Sequence, residues 1–197
     1  MKSICVYCGS CFGTLPEYRA LAEAFGAACA RRGLVIVYGG GNVGLMGTVA
    51  NAALAAGGKV IGIIPRAMVA EERAHRGLTE LIVVETMHER KYRMAELADA
   101  FVALPGGIGT LEETVEVFTW LQLGLHSKPV GVLNAAGFYE LLLQFLTQLS
   151  NQGFLTPEHH AKLTVGSDVE SLLDALAATK HVHRPKPIEC ATTTCQQ

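Results

Sequence analysis

The chain has 197 residues, half of them apolar and 17% charged, with a formal net charge of −2 and six cysteines. That length suits one domain with an ample hydrophobic core. So small a charge excludes recruitment of nucleic acid or an anionic membrane surface by bulk electrostatics, and any anionic ligand must be held by a local site.

No secretory pattern opens the chain, because Met1-Lys-Ser leads into a short apolar run, Ser3–Tyr7, that reads as a first strand. A helix follows from about Pro16 to Arg32, with proline at its start and Gly33 as its stop signal. Leu34–Tyr38 is a second strand, followed by a glycine-rich loop and a helix through Ala56; Val60–Ile64 is a third strand ended by Pro65. Residues 66–80 are polar and weakly periodic, a loop or short helix. Leu81–Val84 is a fourth strand, Met87–Ala98 a helix, Ala100–Leu104 a fifth strand, and Leu111 to Leu123 a helix. Pro129–Leu133 is a sixth strand and Tyr139 to Gln152 a helix; Leu163–Val165 adds a last strand, and a capping box at Ser167-Asp-Val-Glu170 opens the final helix. One domain over 1–184 is expected, with a disordered tail at 185–197. The most apolar stretch, Leu34 to Ile64, is too broken by glycine and polar residues to span a membrane.

Continuously apolar strands joined by helices imply a doubly wound α/β fold. A parallel sheet of about six or seven strands carries helices on both faces. Ligands of such sheets bind at the carboxyl ends of the strands, where all three glycine-bearing loops of this chain would open.

The cysteines do not form a disulfide framework: Cys5 falls in a strand, Cys29 in a helix, Cys190 and Cys195 in the polar tail. Cys5-Val-Tyr-Cys8-Gly-Ser-Cys11 has metal-like spacing, but a cluster-type run needs a further cysteine where Leu15 stands. A reduced, cytoplasmic protein without a metal site is expected.

Four motifs carry chemistry. In Cys8-Gly-Ser10, Gly9 allows close backbone approach and Ser10 offers a hydroxyl. Gly39-Gly-Gly-Asn-Val-Gly44, continuing Leu45-Met-Gly47, matches a dinucleotide fingerprint. It follows the second strand rather than the first, and no carboxylate waits about twenty residues on for a ribose hydroxyl. A Walker loop fails too, since Leu45 stands where lysine is needed. A backbone cradle for one phosphate survives, beside the plainer reading of tight strand-to-helix packing. Thr86-Met-His-Glu89 is a capping box that puts Arg90, Lys91 and Arg93 near a positive helix end, where cations are disfavoured unless an anion joins them. In Pro105-Gly-Gly-Ile-Gly-Thr-Leu-Glu-Glu113, Thr110 and Glu113 have capping-box spacing, which explains a helix start but not the preceding glycines. Phosphate at amide nests, with a carboxylate facing the ribose and a water, satisfies both. These residues indicate a nucleoside monophosphate site with the reaction undecided.

Pro105-Gly-Gly-Ile-Gly-Thr-Leu-Glu-Glu113 matches PGGxGTxxE, the hallmark of the LONELY GUY family, cytokinin riboside 5′-monophosphate phosphoribohydrolases long labelled lysine decarboxylases. The chain resembles that family over residues 3 to 155. The resemblance runs through Cys8-Gly-Ser10, Val37-Tyr-Gly-Gly-Gly-Asn-Val-Gly-Leu-Met-Gly47, Met87-His-Glu-Arg-Lys91, Thr119-Trp-Leu-Gln-Leu-Gly124 and Lys128-Pro-Val-Gly131. It implies a modified Rossmann fold, a homodimer with each site near the interface, no metal and no cofactor. It implies Arg90 and Glu113 as the catalytic pair. Substrate contacts carry over to Lys91, Gly106, Gly107, Gly109, Thr110 and Glu112, and further to Glu72 and Thr119. Gly9, Ser10, Gly39, Gly40, Gly41, Gly44, Met46 and Met87 complete the expected substrate-binding set.

The expected reaction is hydrolysis of a nucleotide's N-glycosidic bond, on cytokinin nucleotides and AMP. Glu113 would stabilise oxocarbenium character on the ribose and orient water, while Arg90 anchors oxygens and holds Glu113 ionised. The rivals are a general nucleotide nucleosidase without a hormone role, a non-catalytic nucleotide or molybdenum-cofactor carrier, and a decarboxylase, which would need an electron sink.

Overall fold

A computed structural model describes residues 1–69 and 74–181. The expected contact Glu72 and the expected tail lie outside the described residues. Strands β1 (Ser3–Tyr7), β2 (Val35–Tyr38), β3 (Lys59–Pro65), β4 (Glu80–Val84), β5 (Phe101–Ala103), β6 (Val130–Leu133) and β7 (Leu163–Gly166) form one parallel sheet. Their order is β4-β3-β2-β1-β5-β6-β7. The helices are α1 (Pro16–Arg31), α2 (Gly44–Ala55), α3 (Met87–Leu97), α4 (Ile108–Leu123), α5 (Glu140–Asn151), the single turn α6 (Pro157–His160) and α7 (Val169–Ala178). None of them is long and apolar enough to cross a membrane.

Successive strand residues face opposite sides, and β1 shows what that alternation builds. Ile4 and Val6 pack with Phe25 of α1, Val49 of α2 and Leu172 of α7. Cys5 and Tyr7 pack on the other face with Met94 of α3 and Val117 and Phe118 of α4. The same alternation sends Cys5 and Cys8 into different cores, so the CxxCxxC run does not converge. Cys5, Cys8 and Cys29 are buried free thiols and Cys11 is an exposed one.

The chain winds outward from β1 to β4, then returns to lay β5 on the other flank of β1. That reversal leaves a crevice at the carboxyl ends of β1 and β5, where neighbouring connections leave the sheet on opposite faces. The Gly9 N–H donates to the Pro105 carbonyl at 3.0 Å, tying the two loops that rim the crevice.

Helices α1 and α2 cover one face together and approach closely at Gly26. A Cβ there would strike the Val49 carbonyl and lie 3.0 Å from the Ala53 nitrogen. Backbone cannot yield as a flexible side chain does, so Gly26→Ala should push the helices apart and cost about 1–3 kcal/mol, typical of overpacking. Urea unfolding tests this: an unchanged midpoint would mean the helices are not held at this contact.

Candidate active site

Helix α3 is capped as the sequence indicates. The Thr86 hydroxyl accepts the Glu89 N–H at 3.1 Å, while the Glu89 carboxylate reaches back to the Glu85 N–H at 3.0 Å. This places Arg90 in the first turn, directed under the helix towards the sheet and only 7% exposed. Its Nε donates to the Ile63 carbonyl at 3.2 Å and Nη2 to the Gly39 carbonyl at 3.4 Å. Nη1 donates to the Met87 sulfur at 3.3 Å and lies 3.4 Å from Glu113 Oε1. A buried cation needs acceptors all round, and β3, the loop after β2, its own helix and α4 supply them.

Helix α4 begins at Ile108 with Gly107 as its N-cap and no side-chain cap. The expected start at Leu111 is therefore three residues late. Thr110 is not an N-cap, and the Thr110–Glu113 capping box does not form. Thr110 is buried in the first turn and Glu113 belongs to the second, its carboxylate paired with Arg90. Burial first, and then the negative charge of Glu113, push the neighbouring Cys8 thiol far above its usual pKa, so it stays protonated.

A cleft of about 370 Å3 opens over these groups. Its walls are Cys8, Gly9 and Ser10 after β1, Met46 of α2, Met68 after β3, Met87 and Arg90 of α3, and Gly107 through Thr110 with Glu112 and Glu113 of α4. The first amides of any helix have no intrahelical acceptor, so the start of α4 offers N–H donors to an anion. Glu113 stands about one turn, roughly 5.4 Å, further along. An anion and the carboxylate can share this cleft without touching, with a sugar-sized gap between them.

Residues 46–176 match a family model described as "Possible lysine decarboxylase". The chain is 51% identical over 176 residues to a cytokinin riboside 5′-monophosphate phosphoribohydrolase of Rhodococcoides fascians, covering 89% of each chain. It is 44% identical over 182 residues to an Arabidopsis thaliana enzyme of the same name, covering 92% of this chain and 80% of that one. The chain belongs to the LONELY GUY family. Among solved structures, the molybdenum cofactor carrier protein of Chlamydomonas reinhardtii superposes with a TM-score of 0.69 at 23% identity, covering 90% of this chain and 99% of that one. At that identity the likeness shows a shared fold.

Of the residues that the LONELY GUY resemblance and the motifs single out, Gly9, Ser10, Met46, Met87, Arg90, Gly107, Gly109, Thr110, Glu112 and Glu113 line the cleft. Lys91 does not. Its ammonium bonds Glu112 at 2.6 Å and Glu116 at 2.9 Å, fastening α3 to α4. Burial lowers its pKa, but those two carboxylates outweigh the burial and raise it. Gly106 lies beside the cleft wall, lining an adjoining hollow with Phe12, Tyr18 and Phe138. Thr119 is exposed further along α4, its hydroxyl bonded to the Val115 carbonyl at 2.7 Å.

Of the second glycine loop, Gly39, Gly40, Gly41 and Gly44 are not among the cleft walls, and the leading amides of α2 are bonded within the chain. The Leu45 and Met46 N–H groups donate to the Gly9 carbonyl at 3.0 and 3.3 Å. Gly39 has no side chain because the Arg90 guanidinium occupies that space. Gly44, at φ +52°, passes under the Ser10 main chain. Gly40 packs on Ile64 and Leu81, and Gly41 bridges to Ala74. Three lining residues lacked a sequence signal strong enough to nominate them: Cys8, Met68 and Ile108. Met68 falls in the weakly periodic 66–80 stretch, and its resemblance in type to Met46 and Met87 was the available hint.

The glycines of the α4 entry divide into two kinds. A Cβ on Gly106 would collide with the Thr110 side chain and lie 2.9 Å from the Gly9 nitrogen, whereas one on Gly109 meets nothing within 4 Å. Gly106→Ala should lose about 1–3 kcal/mol of stability through overpacking. Gly109→Ala should be neutral or gain up to about 1 kcal/mol from helix propensity. Denaturant midpoints of the two variants check this, and equal losses would contradict it.

Proposed function

We propose that this chain hydrolyses the N-glycosidic bond of nucleoside 5′-monophosphates, both cytokinin nucleotides and AMP, to free base and ribose 5-phosphate. The observation that carries the reading is the placement of Glu113, paired with Arg90 at 3.4 Å and one turn beyond the open amides of α4. The activity for which the Rhodococcoides and Arabidopsis relatives are named supports it. The 5′-phosphate rests on the amides of Ile108, Gly109 and Thr110 with the Ser10 hydroxyl beside it. The ribose spans to Glu113, and the base extends towards Met46, Met68 and Met87, whose thioethers adapt to a flat apolar face.

In this arrangement the C1′–N bond breaks, the departing base keeps the electron pair and takes a proton from solvent, and positive charge develops on the ribose. The Glu113 carboxylate stabilises that charge and orients the attacking water, taking up its proton as the C–O bond forms. Arg90 offsets the carboxylate's charge while the cleft is dry and presents an N–H edge to ribose or phosphate oxygens. A decarboxylase built on a lysine imine fits less well, because no lysine is among the cleft-lining residues and Lys91 is held by Glu112 and Glu116.

The same reading includes a homodimer in the cytoplasm. Helices α3 and α4 carry exposed apolar side chains at Tyr92, Val115 and Leu123, continued by Leu125, a face suited to a second copy. Thr119 lies on α4 among them. The substrate contact that the family resemblance assigns it is therefore made across the interface, in the partner's cleft.

Glu113→Gln should lower turnover by about 10³-fold, within the range of a lost acid–base group and its charge stabilisation. Nucleotide binding by calorimetry should persist. Chromatography of free base from AMP and from its N6-isopentenyl analogue measures the turnover, and near wild-type release would overturn the role given to Glu113. The ratio of the two substrates in the wild-type protein separates a cytokinin activator from a general nucleosidase.

A further inference from the structure

His75 is buried to 6% exposure in the β3–β4 connection, yet it is not among the cleft-lining residues. Its ring is held at both nitrogens. Nε2 lies 2.9 Å from Oδ1 of Asn51 on α2, and Nδ1 lies 3.2 Å from the Gly77 N–H. The Gly77 amide can only donate and the Asn51 carbonyl oxygen can only accept. The two contacts therefore select the neutral tautomer with its hydrogen on Nε2. Burial pulls the ring's pKa below its ordinary value, against an opposing backbone hydrogen bond, which agrees with a neutral ring.

The main chain around His75 is fastened to the glycine loop. The His75 N–H donates to the Gly40 carbonyl at 2.9 Å, and Ala74 pairs with Gly41 in an isolated antiparallel bridge. The Ala74 N–H also donates to the Val69 carbonyl at 3.1 Å. Gly39, the next residue of the glycine loop, accepts from Arg90 and leaves room for its guanidinium. A continuous chain of contacts thus runs from Asn51 through His75 and Gly40 to Gly39, Arg90 and Glu113.

We propose that His75 is a positioning residue: bolted to Asn51 and Gly77, it fixes the Gly39–Gly41 backbone from behind and so sets the guanidinium of Arg90 against Glu113. This rests on the reading that Arg90 and Glu113 act in glycosidic hydrolysis. The role is one of alignment, so its loss moves turnover more than binding. A misplacement of about 1 Å in a catalytic constellation is enough for a rate loss of up to about 100-fold.

The test uses the full chain with His75→Leu, His75→Gln and Asn51→Leu, each first melted to confirm a folded protein. Glutamine retains a donor for Asn51, while leucine retains none. His75→Leu and Asn51→Leu should each lower kcat for AMP by about tenfold or more with KM changed less than about threefold. His75→Gln should recover most of that loss. The double leucine variant should be no worse than the poorer single one, because both cut the same contact. The Arg90 Nε–H resonance, assigned by its absence in Arg90→Lys, should be protected from solvent exchange in the wild type. In His75→Leu it should exchange faster, by about tenfold or more. Unchanged kcat and unchanged exchange in a folded His75→Leu variant would overturn the proposal, as would a glutamine variant no better than leucine. If the wild type itself releases no base, the hydrolase reading fails, and the Arg90 exchange rate alone decides the positioning role.

Discussion

The arrangement depends on a buried guanidinium, placed inside the first turn of α3 and against the carboxyl ends of two strands. Arg90 is tolerated there because β3, Gly39 just after β2, Met87 and Glu113 each contribute an acceptor. Removing any one of them would leave a partly desolvated charge short of a partner, which costs more than an exposed ion pair gains. The pair therefore ties three separately folded elements to one geometry. The carboxylate it fixes, Glu113, lines the cleft.

The two glycine-led helix starts show how a shared motif can carry two unrelated jobs. Both α2 and α4 follow a strand, both begin after a run of glycines, and both enter at the same end of the sheet. At α2 the leading amides bond the Gly9 carbonyl, and the glycines exist to admit Arg90, Ser10 and Ile64. At α4 the N-cap is itself a glycine without a capping side chain, so the first turn is left to serve a ligand. One start supports the walls of the cleft; the other leaves its first turn uncapped by a side chain in the cleft wall. The acids of α4 raise no conflict, because one helical turn separates Glu113 from the donors, while Glu112 is bonded to Lys91.

The adjoining sheet positions bear on chemistry as well as packing. Cys8 is in the cleft wall and its thiol is held protonated by burial and by Glu113, which removes it as a nucleophile. The apolar side chains Tyr92, Val115 and Leu123 lie along, and Leu125 just beyond, the same pair of helices, α3 and α4, that carry Arg90 and Glu113. Association through them would stiffen the elements that hold Arg90 and Glu113.

Much of this was legible before any coordinates. Strand identity, the parallel sheet, the Thr86 cap and the candidacy of Arg90 and Glu113 follow from local signals: apolar runs, capping residues and a motif in contiguous chain. Three things were not. The helix start at Ile108 depends on Gly107 lying in extended conformation at the sheet edge, although Thr110 and Glu113 have the spacing of a cap. The fate of the leading amides of α2, Leu45 and Met46, depends on the Gly9 carbonyl, more than thirty residues away in sequence. The place of His75 depends on Asn51, on a helix two elements earlier. Local propensity is a property of neighbouring residues, so the sequence by itself determined the elements and nominated Arg90 and Glu113. Which amide meets which carbonyl is settled when strands thirty residues apart come into register, and that is why only the tertiary structure decided which helix end was left open for a ligand.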